Sequence, residues 1–152
     1  MAESVSVEEF KAMVGRENGI SNWILIDQNR VNRFADATED HQWIHVDIEK
    51  ANKGPFGGTI GHGFLTLSLL PAFAESATYS PEGVKMAINY GLNKVRFLNP
   101  VPVGSWVRSR MVLTNIEEKD PGRLLMTTTH TIEIEGQEKP ACIAESLAML
   151  FF

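Results

Sequence analysis

The stretch from Thr38 to Asp47, Thr-Glu-Asp-His-Gln-Trp-Ile-His-Val-Asp, gathers three acids and two histidines. It has three readings. In the first, charged side chains at a helix end simply face water. In the second, His41 and His45 stand four apart, as in the paired ligands of His-Glu-x-x-His zinc sites. Gln42 takes the place of that motif's glutamate, however, and no cysteine lies nearby, so no metal is expected. In the third, Asp40 and His45 form an acid/base pair. Five residues apart, a carboxylate and an imidazole can converge on one water when the chain between them turns. Burial and mutual charge then tune both groups to exchange protons near neutral pH.

A second stretch, Gly57-Gly58-Thr59-Ile60-Gly61-His62-Gly63-Phe64, leads straight into an apolar helix. The first N–H groups of a helix lack intrahelical partners and carry partial positive charge. At that terminus the Gly63 N–H can face a carbonyl and stabilise an oxyanion, with glycine allowing close approach. The alternative is that the glycines only shape a tight turn. His62 is read as an orienting or packing residue. The loop lacks the Lys-Ser/Thr ending of a phosphate-binding loop.

Positioning these residues falls to a helical first half. Ser4 to Val14 reads as a short amphipathic helix and Trp23 to Ile26 as a strand. Asp27 is an N-cap for a helix over Gln28 to Thr38, with Val31, Phe34, Ala35 and Thr38 on one face. After the glycine-rich loop, Phe64 to Ala77 is apolar on nearly every side, the pattern of a buried helix, and Pro71 should end or kink it. The second half reads as strands separated by turn signals at NPVPVGS, KDPG and EGQEKP. Helices followed by consecutive strands predict an α+β fold in which an antiparallel sheet covers one buried helix. The last strand, PACIAESLAMLFF, is apolar on both faces, so something should cover both its sides.

Composition narrows the field. A chain of 152 residues, 43% hydrophobic and 22% charged, suits a single globular domain spanning 1–152. A net charge of -5 with scattered lysines and arginines excludes the basic footprint of a nucleic-acid binder. The acidic N-terminus does not read as a signal peptide, and no apolar run approaches the ~18 residues of a membrane span. A soluble, cytoplasmic protein without membrane contact is expected. Cys142, the only cysteine, reads as a small buried residue.

The runs Phe34-Ala35-Asp36-Ala37-Thr38-Glu39-Asp40, Ile44-His45-Val46-Asp47 and Ile60-Gly61-His62-Gly63-Phe64 resemble the MaoC-like hydratases, which include the (R)-specific enoyl-CoA hydratases. Glu39 stands where that family often has glycine, Gln42-Trp43 replace its usual Asn-Pro, and Pro71 replaces a serine that some members use. The resemblance implies a hot-dog fold, a long central helix from about Gly63 to Ala77 wrapped by a curved antiparallel sheet. It implies catalysis by Asp40 and His45, with Gly63 as the oxyanion-hole amide. The substrate would be an acyl-CoA thioester, hydrated at a trans-2 double bond without metal or redox cofactor, and the subunits would pair as a homodimer. The doubly apolar last strand fits such pairing. A hot-dog thioesterase and a non-catalytic acyl-binding module are the rival functions.

In INYGLNKVRF, polar Asn89, Tyr90 and Asn93 interrupt an apolar pattern and Gly91 marks a bulge. Asn89 is thereby a candidate substrate or supporting contact. Lys94 and Arg96 alternate on one face, where they could meet CoA phosphates.

Overall fold

The computed structural model describes residues 2–152. In chain order its elements are β1 (Glu3–Val5), α1 (Val7–Ala12), β2 (Glu17–Ile20), β3 (Ile24–Ile26), α2 (Gln28–Thr38), α3 (Trp43–Val46) and α4 (Ile48–Asn52). Then follow α5 (Gly63–Ser68), α6 (Leu70–Ala74), β4 (Tyr79–Pro81), β5 (Met86–Phe97), β6 (Ser105–Asp120), β7 (Arg123–Ile134) and β8 (Cys142–Phe151).

Ser6 sets the start of α1. Its hydroxyl accepts the Glu9 N–H at 3.2 Å, while the Glu9 carboxylate accepts the Ser6 N–H at 2.9 Å, a reciprocal cap. The first helix is therefore shorter than the Ser4–Val14 span expected, and Glu3–Val5 pairs in parallel with β4 instead. The strand expected from Trp23 begins one residue later. Helix α2 fills its expected span: Asp27 accepts the Arg30 N–H at 2.8 Å, and Val31 and Ala35 are fully buried. It stops at Glu39, whose φ of 63° is left-handed. Glycine adopts that conformation freely, whereas a side chain there costs on the order of 1 kcal/mol.

The main sheet is antiparallel, in the order β2-β6-β7-β8-β5, with β3 also pairing with β6. Alternation sends Val107, Ile132, Ile134, Cys142 and Ala144 into a core shared with Ile26, Val31, Leu65, Leu70 and Phe73. Cys142 is fully buried, as its composition suggested, and burial pushes its thiol up to about 11.

The central helix differs from expectation in two ways. Instead of running unbroken to Ala77, it divides at Leu69 into α5 and α6 and ends at Ala74. Pro71 explains the break, since it lacks an N–H for the preceding turn yet fits the first turn of a new helix, where it sits. Nor is the helix buried on all sides: Leu65, Leu70 and Phe73 face the core, but Phe64 is 67% exposed.

Strand β8 lies inside the sheet, between β7 and β5, so the doubly apolar last strand is not the free edge. The edge is β5, which bulges at Tyr90 and again at Asn93 and exposes Met86, Ile88, Tyr90 and Leu92. Among the described residues, no helix is long and apolar enough to cross a membrane.

Candidate active site

The left-handed turn at Glu39 swings the chain off α2 and presents Asp40 at the surface. Short α3 then carries His45 into the interior, where the residue is 7% exposed. Two long-range bonds seat α3: the Ile60 N–H donates to the Ile44 carbonyl at 3.0 Å, and Gln28 Nε2 donates to the His45 carbonyl at 2.8 Å. Gln28 is itself held by the Thr59 hydroxyl at 2.6 Å. A helix and a loop distant in sequence thus grip the same four-residue segment.

His45 Nδ1 lies 2.7 Å from the Ile60 carbonyl oxygen. A carbonyl can only accept, so Nδ1 carries the proton in this bond and Nε2 keeps a lone pair in the neutral ring. Burial holds the imidazolium below the ordinary histidine range. The Ile60 bond opposes that shift, His62 adds to it and Asp40 opposes it. His45 is therefore a neutral base near pH 7.

His62 is 2% exposed and stacks on His45 with ring centroids 3.8 Å apart. By the same logic its Nε2–H donates to the Asp40 carbonyl at 3.0 Å, which ties the Asp40 segment to the start of α5. Among the described residues its buried Nδ1 lone pair has no partner. One ligand atom from each of Asp40, His45 and His62 lies within 4.8 Å of the others, a span that one water bridges and that could also admit a cation. The histidine pair considered from spacing does not form, because His41 turns outward to Asp36 at 2.9 Å. Asp47 caps α4 by accepting the Lys50 N–H at 3.0 Å. Asp36, His41 and Asp47 thus have local duties.

Gly63 begins α5, and among the described residues no protein group accepts its N–H. It lines a cavity of about 180 Å³ together with His45, Thr66, Phe97 and Val101. A side chain at Gly63 would place its Cβ 3.1 Å from the Phe97 ring, which accounts for glycine at this position. Asn89 lies elsewhere, on the wall of a larger cavity of about 900 Å³ beneath α6. Lys94 and Arg96 are exposed on β5. Sequence reading missed Gln28 and Thr59, since nothing local marks them as supports for His45.

The antiparallel sheet and central helix form a hot-dog fold, and they bring a carboxylate and an imidazole near a helix-terminal amide that no described protein group accepts. The comparisons agree: residues 9–135 match the MaoC like domain, and the chain belongs to the MaoC-like dehydratase family. It is 55% identical over 142 residues to 3-hydroxyacyl-thioester dehydratase Z of Mycobacterium tuberculosis, covering 93% of each chain. It is 44% identical over 149 residues to nodulation protein N of Rhizobium leguminosarum, covering 97% of this chain and 92% of that one. Among solved structures, the (R)-hydratase from A. caviae involved in PHA biosynthesis superposes with a TM-score of 0.70 at 26% identity, over 88% of this chain and 96% of that one.

Proposed function

We propose that this protein reversibly hydrates trans-2-enoyl thioesters to (R)-3-hydroxyacyl thioesters, with CoA as the carrier. The observation that carries this reading is the His45 Nδ1–H···O Ile60 bond, which leaves Nε2 unprotonated on a residue that clusters with Asp40 and lines the same cavity as Gly63. Asp40 and His45 hold one water. As its oxygen bonds to C3, a proton passes to His45 Nε2, and the C2–C3 π electrons move toward the thioester carbonyl. The Gly63 N–H stabilises the resulting enolate oxygen. Collapse of the enolate then takes a proton to C2 on the same face, restoring the pair. The reaction as written calls on no metal or redox cofactor. The R configuration follows the (R)-hydratase likeness.

Crotonyl-CoA tests the proposal. Loss of the enoyl absorbance without free thiol is expected, and chiral analysis should find the (R)-3-hydroxy product. Thiol release would mean a thioesterase, and no change a binding module; either result overturns the reading.

A homodimer belongs to the same proposal. The exposed apolar edge of β5 leaves backbone groups unpaired, an arrangement that soluble proteins cover. Light scattering should give about twice the 16.9 kDa chain mass, and a monomer at micromolar concentration would refute pairing.

A further inference from the structure

The cavity of about 900 Å³ beneath α6 is large enough for a sizeable organic ligand, and most of its wall is apolar. Its floor is the inward face of β7 and β8. Along that face the dry core pair Ile132 and Cys142 gives way to His130 opposite Ala144, then Thr128 opposite Ser146, then Met126 opposite Ala148. Small residues on β8, together with Ala74 and Ala77 above, open the space, and a histidine stands on the floor.

His130 is 3% exposed, and its Nδ1 lies 3.0 Å from the hydroxyl of Ser109. Ser109 is fully buried, and among the described residues its hydroxyl has no other partner. A buried O–H without an acceptor costs about 1–3 kcal/mol, so the hydroxyl donates to Nδ1. The imidazole proton therefore sits on Nε2. No protein group among the described residues bonds that nitrogen, yet it is not sealed off as His62 Nδ1 is. Burial pulls His130 down to about 4, so the ring is neutral near pH 7. A neutral N–H in an apolar cavity favours a neutral oxygen acceptor over a carboxylate, whose burial without a countercharge is costly.

We propose that this cavity receives the acyl group of the thioester and that His130 Nε2–H selects acyl groups bearing a hydroxyl or keto oxygen far from the thioester. The proposal rests on the hydratase reading for the identity of the thioester. Both cavities border α5: Gly63 and Thr66 line the smaller, and Leu67, Ser68 and Leu70 the larger. His130 lies two residues along β7 from Ile132, whose carbonyl accepts the N–H of Ala141 at the wall of the smaller cavity. Two strand residues span roughly 7 Å. At that distance only a chain that extends past C3, and not the reacting atoms, could meet the selecting donor.

The test compares trans-2-decenoyl-CoA with decenoyl-CoA thioesters carrying one keto or hydroxyl oxygen, walked along the distal half of the chain. At one oxygen position kcat/KM should exceed that of the plain chain about tenfold or more, because the plain chain leaves the N–H unpaired. His130→Phe removes the donor and keeps a planar ring at this place. It should erase this preference, read as the ratio of oxygenated to plain-chain kcat/KM within the variant itself. Equal kcat/KM across the series, or an unchanged preference in His130→Phe, overturns the proposal. A second measurement needs neither the variant nor turnover: with ¹⁵N-labelled histidine, the His130 Nε2–H resonance of the native protein should shift with the saturated oxygenated acyl-CoA more than with the plain one. The proposal fails if both ligands shift it equally or neither does. If no enoyl thioester is hydrated but the resonance responds selectively, the hydratase reading alone falls.

Discussion

Asp40→Asn should leave the fold unchanged and lower turnover of an enoyl-CoA by about 10²- to 10⁴-fold, the range for loss of a general acid or base. The fold is expected to survive because Asp40 is exposed and its side chain only accepts the Gln42 N–H, which an asparagine oxygen also accepts. The tie from His62 reaches the backbone carbonyl, so the substitution does not touch it. His45→Gln should cost a similar amount, and the double variant little more than either single one, since in the proposed reaction both groups act on the same water. The pH profile adds an independent reading. The base must be unprotonated, so kcat/KM should be full above the His45 pKa and fall as pH drops through it, with the acid limb below the ordinary value of 6.5. Asp40 raises that pKa, so in Asp40→Asn the residual activity should persist to lower pH. Matching substitutions at Asp36, His41 and Asp47 should cost far less, and an asparagine at 47 still caps α4. The assignment fails if folded Asp40→Asn retains more than about a tenth of native turnover, well short of the loss expected for acid/base catalysis.

Features set by neighbours in sequence were legible in advance. Asp27, with apolar residues at helical spacing, marked α2 to its ends, and alternation around His130, Ile132 and Ile134 marked a half-buried strand. The bulge beside Gly91 was readable too. What escaped depends on contacts between distant segments. Gln28 and Thr59 meet across 31 residues, and the pairing of Glu3–Val5 with β4 joins the two ends of the helical half. His130 was not singled out, because nothing local reveals the Ser109 hydroxyl on the next strand or the cavity above it. Glu39 teaches the converse. The resemblance marked it as a departure from glycine, and the chain makes a left-handed turn here that releases Asp40 from the helix, a conformation glycine adopts freely.

The role assigned to Gly63 predicts a divergence between two substitutions that crowd the same neighbour. Both alanine and proline would bring a Cβ to about 3.1 Å from the Phe97 ring, so both require that ring to give way. Phe97 is 47% exposed, which leaves it room to move. Proline is otherwise suited to the place. Gly63 is the first residue of α5, where no intrahelical bond uses the N–H, and His62 before it has the extended ψ of 140° that a following proline demands. The two variants thus differ chiefly in that alanine keeps the N–H and proline removes it. Gly63→Ala should lower turnover modestly, through displacement of Phe97 at the cavity wall. Gly63→Pro should lower kcat about a hundredfold or more beyond that, the loss typical of a missing oxyanion donor. The affinity for a saturated acyl-CoA, which forms no enolate, should be alike in the two variants. Equal kcat in folded Gly63→Ala and Gly63→Pro would assign the whole effect to Phe97 and leave the amide without a part in the reaction.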